Sequence, residues 1–321
     1  MNSQPFIVSG RADRILVAGI ARSGSSWVID ALRATPGTKC WYEPDNIDAD
    51  PMGKKPVGSS GFGPYPMISP GDDGGVHKNL WDVIYKGRVP VARRGNLLMP
   101  LAKPLMKLPK PILHPLFRVG TAIFAAMPGG SDRVAVKSVF TAFCLDWLAQ
   151  QYDLKVVVLQ RNPLSIVASW RDLKIPLFDL STRPRLIKEY GDRYIGDPPK
   201  EEDSELTKIA WQIGLVTMAM GDSLDRHPEW LLVDHEDLCV EPVAKFKILC
   251  ERLSIPWSEG VEHFLDSSNR PGEGFEPIRV TSEQIDKWRK RLTAEEVEEI
   301  SGVLSRFPRK GWVSEPGSTN Q

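Results

Sequence analysis

The sequence predicts an α/β fold in which a central parallel sheet is flanked by helices. Apolar runs at 15–18, 133–138 and 154–160 are typical of strands buried on both faces. Segments with apolar residues at helical spacing follow these runs. Strands that alternate with helices favour a mainly parallel sheet with right-handed crossovers.

Length and composition exclude several classes of protein. The chain has 321 residues, enough for one large domain, and its 41 basic residues balance its 41 acidic ones. The balanced charge predicts no nucleic-acid partner. The four cysteines are scattered without paired spacing, which predicts neither disulfides nor a zinc site. No apolar signal segment precedes the first strand, so we expect a cytoplasmic protein.

A single domain over 15–312 accounts for most of the chain. We expect a flexible arm at 1–14 and a disordered tail at 313–321. A long insertion at 46–130 interrupts the domain, and its first part is dense in glycine and proline. From 83 to 131 the insertion is basic and apolar and contains no acidic residue. It is interpreted as a lid on the acceptor side, a surface that lies on an anionic membrane, or an ordinary insertion with solvated charges.

The first strand leads through a glycine-bearing loop into a helix that starts at Ser25. Such a unit binds anions because the first helical N–H groups lack partners and the helix dipole is positive there. The loop at 19–26 has the P-loop spacing G-x-x-x-x-G-K-[ST], but Ser25 replaces the lysine. Arg22, inside the loop, supplies a cation whose planar fork suits phosphate or sulfate. The alternative is an ordinary strand-to-helix turn.

Charged residues follow the next strands, where the carboxyl edge of an open α/β sheet binds ligands. Glu43 comes directly after the second strand and is a candidate general base; the alternative is a salt-bridged surface carboxylate. Lys137 ends the third strand. Arg161 follows the fourth strand, and Ser169 lies two turns into the next helix, so both could reach one anion. A structural arginine at the sheet edge is the alternative reading.

The sequence of the C-terminal half predicts further helices and one strand. A long helix is predicted over 201–224 and a strand over 230–233, and the acidic turn that begins at Asp234 is interpreted as a helix cap rather than a metal or catalytic cluster. Capping-box patterns at 281–284 and 293–296 predict two helix starts. The basic cluster between them is either a solvated face or a flap that closes on a phosphate.

Two separate anion sites on one sheet edge suit 3′-phosphoadenosine 5′-phosphosulfate (PAPS) better than ATP. Here the chain resembles the PAPS-dependent sulfotransferase family. Residues 21–27 (Ala-Arg-Ser-Gly-Ser-Ser-Trp) are similar to the family's 5′-phosphosulfate loop, and Arg161 with Ser169 is similar to its 3′-phosphate motif. Residues 136–138 (Val-Lys-Ser) resemble the strand that brings a lysine to the sulfuryl group. The segments 233–238 and 288–289 resemble the family's "y-E-D-L" turn and C-terminal W-R flap.

The resemblance implies an α/β P-loop-like fold, PAPS as donor and adenosine 3′,5′-bisphosphate (PAP) as product. The implied cofactor-binding residues are Arg22, Ser23, Gly24, Ser25, Ser26, Trp27, Arg161, Ser169 and Arg289.

The chain departs from the cytosolic small-molecule branch, because Val139 stands where that branch has a histidine base. Glu43 followed by Pro44 instead resembles the carbohydrate and tyrosyl-protein branches. The eukaryotic enzymes of those branches are Golgi-anchored, whereas here we expect a cytoplasmic protein with at most peripheral membrane contact.

The sequence-based hypothesis is that Glu43 deprotonates an acceptor hydroxyl while Arg22 and Lys137 stabilise the transferring group and the leaving phosphate. The acceptor is a carbohydrate, a lipid or another small molecule, and no metal is required. Two rival hypotheses are a P-loop kinase or NTPase, and a non-catalytic membrane-surface module that uses the segment 83–131.

Overall fold

Five parallel strands form the central sheet in a computed structural model that describes residues 13–46, 64–85, 133–190, 197–272 and 280–307. The strands are β1 (Asp13–Gly19), β2 (Thr38–Tyr42), β3 (Arg133–Ser138), β4 (Lys155–Gln160) and β5 (Leu231–Asp234). Their order across the sheet is β2-β3-β1-β4-β5, and every pairing is parallel. The predicted α/β fold with a central parallel sheet is confirmed.

Ten α-helices surround the sheet within these ranges. They are α1 (Ser25–Arg33), α2 (Gly75–Tyr85), α3 (Leu145–Tyr152), α4 (Pro163–Leu173), α5 (Pro184–Leu186), α6 (Glu205–Arg226), α7 (His235–Val240), α8 (Pro242–Arg252), α9 (Glu259–Ser268) and α10 (Ala294–Leu304). Two 3₁₀ segments, Thr281–Glu283 and Lys287–Lys290, precede α10. None of the helices in the described part of the chain combines the length and apolar character needed to cross a membrane.

The three central strands, β3, β1 and β4, bury side chains on both faces of the sheet. In β4, Val156 and Val158 belong to a core that includes residues of α2, α3, α4, α6 and α10. Val157 and Leu159 belong to a second core formed with α1, α7, α8 and α9. Burial on both faces explains why the sequences of these three strands are continuous apolar runs rather than alternating apolar and polar residues.

The parallel register brings the carboxyl ends of the strands to one edge. Ala18 pairs with Ser138, Gly19 with Leu159, and Tyr42 with Lys137. The residues that follow β1, β2, β3 and β4 therefore meet at the same edge, where open parallel sheets form their binding crevice. The sheet thus collects side chains from four distant parts of the sequence.

The helix caps predicted at Asp234 and at Thr293 are confirmed, and α4 also has a side-chain cap. Pro163 occupies the first turn of α4, and the Asn162 side chain accepts a hydrogen bond from the Leu164 N–H at 2.9 Å. Asp234 caps α7 by accepting from the N–H of Glu236 at 2.9 Å. The acidic turn is therefore a helix cap, as its sequence favours. The Thr293 box at the start of α10 is also complete.

The predicted helix start at 281–284 is wrong. Thr281 begins a 3₁₀ segment instead of capping an α-helix. Its N–H and its hydroxyl both donate to Asn269 Oδ1, at 3.0 and 3.3 Å, so the hydroxyl is directed to the end of α9. A tertiary contact has replaced the local cap. The helix predicted from 201 starts at Glu205, after a few residues of turn.

Residues 64–85 of the predicted insertion belong to the core. Trp81 and Ile84 of α2 are buried, as are Tyr65 and Ile68 before it. The rest of the insertion (47–63 and 86–130) lies outside the described residues, and so do residues 1–12 of the predicted arm and the tail 313–321. Most of the segment 83–131 lies outside the described residues, so its interpretation as a lid or as a membrane surface stays a prediction.

Candidate active site

A cavity of about 590 Å³ opens at the carboxyl edge of the sheet. Its volume is in the range of small-molecule sites. Predicted site residues that line it are Arg22, Gly24, Ser25, Ser26, Trp27, Glu43, Lys137 and Arg161. The fold therefore brings most of the predicted site together, although these residues come from four separate loops and strand ends.

The loop between β1 and α1 is held in an uncommon backbone conformation. Arg22 has φ +75° and Gly24 has φ +93°, both in the left-handed region. The Ala21 carbonyl accepts from Trp170 Nε1 at 2.9 Å, and the Arg22 carbonyl accepts from Arg161 Nη1 at 2.8 Å. Both donors follow β4, so the neighbouring strand–helix unit fixes the loop. A strained non-glycine residue at a ligand-binding edge is typical of functional loops.

Gly24 also makes room for a buried imidazole. A Cβ at this position would lie 2.3 Å from Cδ2 of His235, the first residue of α7. Burial, followed by the nearby charge of Arg161, lowers the pKa of His235 well below its usual value. A neutral histidine side chain therefore packs against the loop at Gly24. Sequence reasoning gave His235 little weight, and only the packing against Gly24 identifies it.

The start of α1 is left available to a ligand. Gly24 is the N-cap and contributes no side-chain cap. The N–H groups of Ser25 and Ser26 lie in the first turn, where the helix itself offers no acceptor. Ser25 and Ser26 also line the cavity. Together with the helix dipole, these groups form a cradle suited to an anion.

The two predicted anion motifs adjoin each other. Arg22 Nε donates to Ser169 Oγ at 3.1 Å, while Arg161 bonds the Arg22 carbonyl. The loop arginine is thus linked to both members of the second motif. Ser169 is buried and is not part of the cavity wall, whereas Arg161 is.

Glu43 and Lys137 form an ion pair at the cavity wall. The Lys137 side chain is only 6% exposed, and Glu43 is 22% exposed. Glu43 lies in the left-handed region at φ +46°, and its N–H donates to the Lys137 carbonyl at 2.7 Å. Asn46 Nδ2 donates to the other carboxylate oxygen at 2.6 Å. The backbone and two side chains therefore fix the orientation of the carboxylate.

Asp45, two residues beyond Glu43, is a second carboxyl group at this edge, and sequence reasoning missed it. It is buried, and its Oδ2 accepts from Ser138 Oγ at 2.6 Å. Burial is the main reason that its pKa is raised to about 7; Glu43 also raises it, while Ser138 and Lys137 oppose the shift. Asp45 therefore changes charge near neutral pH beside the ion pair.

Three predicted cofactor residues have other contacts. Trp27 packs edge-on against Phe246 at 5.0 Å between ring centroids, and its Nε1 donates to Ser268 at 3.0 Å, so only an edge reaches the cavity. Ser23 is fully buried below the loop. Arg289 does not line the cavity: it pairs with Asp286 at 2.9 Å and lies over the Trp288 ring. Their roles in cofactor binding stay predictions.

Other lining residues were not foreseen from the sequence. They are Asp30, Tyr42, Tyr65, Phe140, Phe178, Thr281 and Gln284. They come from six different segments, and no local sequence signal links them. Within the described ranges, no three His, Cys, Asp or Glu side chains are grouped so that they could hold a metal ion, and the predicted metal independence remains a prediction.

The structure of this chain is similar to several solved structures over most of its length. No protein-family model and no curated protein sequence matches the chain. It is similar to the sulfotransferase domain of the Synechococcus PCC 7002 olefin synthase, with 13% identity, 94% of this chain and 98% of that chain covered, and a TM-score of 0.42.

Two further similar structures are also sulfotransferases. They are STF9 from Mycobacterium avium (13% identity, 93% and 78% covered, TM-score 0.43) and mouse SULT7A1 complexed with PAP (12% identity, 91% and 83% covered, TM-score 0.42).

Substituting Gly24 by alanine is expected to destabilise the protein far more than the same change at Gly71. Both glycines have φ near +93°, but a Cβ at Gly71 meets no atom within 4 Å. Gly71→Ala should cost about 1 kcal/mol from backbone strain. Gly24→Ala should cost about 2 kcal/mol more, because of the clash with His235. Urea unfolding of both variants measures the difference, and equal losses would contradict it.

The stability of the wild type relative to Asp45→Asn should fall as pH rises from about 4 to about 7. The raised pKa means that the folded protein holds the Asp45 proton more tightly than the unfolded chain across this interval. At about 1.4 kcal/mol per pKa unit, the fall should reach a few kcal/mol. Urea unfolding between pH 4 and pH 8 tests this, with the exposed Asp266→Asn as control. A difference that stays flat or rises with pH would contradict it.

Proposed function

We propose that this protein is a PAPS-dependent sulfotransferase that transfers a sulfuryl group to an acceptor hydroxyl. One observation carries the proposal: an open helix N-terminus, with Ser25 in place of a P-loop lysine, lies in a cavity lined by Arg22, Lys137 and Arg161. Such a site suits a ligand with several anionic groups. The sequence motifs around these residues resemble those of the sulfotransferase family.

The residues present fit the 5′-phosphosulfate of PAPS. The N–H groups and hydroxyls of Ser25 and Ser26 would hold the phosphate at the helix start, where Gly24 keeps the backbone clear of side-chain bulk. Arg22 would place its guanidinium beside the sulfuryl group. PAPS supplies that sulfuryl group, attached to a phosphate that serves as the leaving group.

The 3′-phosphate would be held by Arg161 and Ser169. Arg161 lines the cavity, and Ser169 is within hydrogen-bond distance of Arg22. The loop that contains Arg22 contacts both Arg161 and Ser169. A ligand with two phosphate groups could therefore bind the loop and the Arg161–Ser169 motif together. Ser169 is buried and accepts from Arg22 Nε, and its own O–H would be the donor to a phosphate oxygen.

Glu43 and Lys137 would carry out the proton and charge chemistry. The Glu43 carboxylate would accept the proton of the acceptor hydroxyl. Lys137 and Arg22 would stabilise the negative charge that develops between the sulfuryl oxygens and the leaving phosphate. A buried ammonium fixed at the cavity wall provides this stabilisation without reorganisation. The alternative for Glu43 is a purely structural ion pair, and the turnover experiment below separates the two.

A kinase or NTPase is not favoured by the site. Ser25 stands where a P-loop lysine would contact the phosphates. The acids at the end of β5 and just after it already have backbone partners: Asp234 accepts from the Glu236 N–H at the start of α7, and Glu236 accepts from the Asn162 N–H at 3.1 Å.

Calorimetric titration is expected to show micromolar binding of PAP without added Mg²⁺, and weaker binding of ATP and ADP. Arg161→Ala should raise the Kd for PAP at least about tenfold, because a hydrogen bond to a charged group contributes roughly 1.5–3 kcal/mol. Arg185→Ala, which removes an exposed arginine paired with Asp72, serves as control. Binding that requires ATP and Mg²⁺, or no nucleotide binding, would overturn the proposal.

Lys137→Ala and Glu43→Gln should each lower kcat about 100-fold or more while PAP still binds, because each removes a charge or proton acceptor used in the transition state. Transfer of labelled sulfate from PAPS to a panel of hydroxyl acceptors measures this. The control is Lys155→Ala, which breaks the Lys155–Asp13 pair at the opposite end of the sheet. Near-normal turnover in Glu43→Gln would leave Glu43 a structural role only.

A further inference from the structure

Part of the cavity wall is built from apolar side chains. They are Tyr65, Val139, Phe140, Ile175, Pro176 and Phe178. Val139 and Phe140 come two and three residues after Lys137, so this wall begins close to the Glu43–Lys137 pair. A molecule whose hydroxyl is beside Glu43 would therefore place its remaining atoms near carbon-rich surface.

Three aromatic rings form a fixed cluster within this wall. The ring centroids of Tyr65 and Phe140 are 5.1 Å apart, those of Tyr65 and Phe178 are 5.5 Å apart, and those of Phe140 and Phe178 are 5.6 Å apart. The rings meet edge to face, at interplanar angles of 85°, 70° and 89°. This arrangement is the favourable one for aromatic pairs, so the cluster is preorganised.

The loop that carries Phe178 is anchored to the core. The Phe178 N–H donates to Gln212 Oε1 at 3.0 Å, and the Ile175 N–H donates to the Trp170 carbonyl at 3.0 Å. Phe178 remains half-buried, with the exposed Leu177 beside it. The position of the aromatic ring at the cavity is thus set by hydrogen bonds that the loop donates to α4 and α6.

The aromatic cluster offers a ligand almost no hydrogen bonds. The buried Tyr65 hydroxyl is its only polar side-chain group, and because that hydroxyl has no hydrogen-bond partner among the described residues, it could bond one ligand hydroxyl but not several. The Tyr65 carbonyl already accepts from Arg183 Nη1 at 2.7 Å. A sugar placed here would lose the hydration of several hydroxyl groups without new partners, whereas an apolar ring would lose none.

We infer that the acceptor for this site is a molecule with one hydroxyl group on an otherwise apolar ring system, rather than a carbohydrate. The inference rests on the proposed sulfotransferase function. In the reaction the acceptor oxygen forms a bond to sulfur, and the bond between sulfur and the 5′-phosphate oxygen breaks. The electron pair goes to that phosphate oxygen, the proton goes to Glu43, and the products are a sulfate ester and PAP.

The experiment compares two acceptors of similar size, 2-naphthol and methyl β-galactoside, with labelled PAPS and the full-length protein. We expect kcat/KM for 2-naphthol to exceed that for the sugar at least 100-fold. Calorimetry should also show that 2-naphthol binds the PAP complex.

Phe178→Ala tests the aromatic wall directly. It should raise the KM for 2-naphthol at least tenfold and leave the Kd for PAP unchanged, while Phe178→Leu should restore part of the loss. The matched control is Leu177→Ala, which shortens the neighbouring exposed side chain of the same loop but does not line the cavity. An unchanged KM in Phe178→Ala would overturn the inference.

The failure of this inference can be distinguished from the failure of the proposed function. PAP binding together with preferred transfer to the sugar would overturn the apolar acceptor and leave the sulfotransferase proposal standing. PAP binding with no binding and no sulfation of 2-naphthol would also overturn it. Absence of PAP binding would overturn both.

Discussion

The strained turn between β1 and α1 is the constraint on which the candidate site depends. Arg22 and Gly24 both adopt left-handed conformations, which for a non-glycine residue costs roughly 1–3 kcal/mol. The cost is offset by hydrogen bonds that Trp170 and Arg161 donate to the loop carbonyls. Because both donors follow β4, the loop has its shape only when β1 and β4 lie side by side. The shape of the anion cradle therefore depends on the pairing of β1 with β4.

A similar arrangement recurs after β2, which lies two positions from β1 in the sheet. Glu43 is also in the left-handed region, and its N–H is held by the Lys137 carbonyl at the end of β3. The ion pair between the two side chains follows from that backbone contact. Removing one member of a buried pair leaves the other charge without compensation, so such pairs are costly to break. Two adjacent strands thus fix the two charged groups that the proposed chemistry uses.

The cavity combines two different environments. On one side the helix N-terminus, Arg22 and Arg161 provide donors and positive charge for phosphate and sulfate groups. On the other, Tyr65, Phe140 and Phe178 provide packed aromatic surface. A reaction between an anionic donor and an apolar acceptor requires both environments to meet at one point. In this protein they meet at the end of β3, where Phe140 follows Lys137 by three residues.

The sequence alone determined the parallel α/β fold, the P-loop-like turn and the caps of α4, α7 and α10. These features depend on local signals: apolar runs, Gly24, Pro163 before an apolar helix, and Asp234 at a helix start. Only the tertiary structure decided which distant residues meet. Three features join segments that are tens of residues or more apart: the contact of His235 with Gly24, the buried carboxyl of Asp45, and the Tyr65–Phe140–Phe178 cluster. Strand order and packing, rather than local sequence patterns, bring these segments together. Thr281 shows the same limit, because its hydroxyl donates a hydrogen bond to Asn269, the residue after α9, instead of capping a helix of its own.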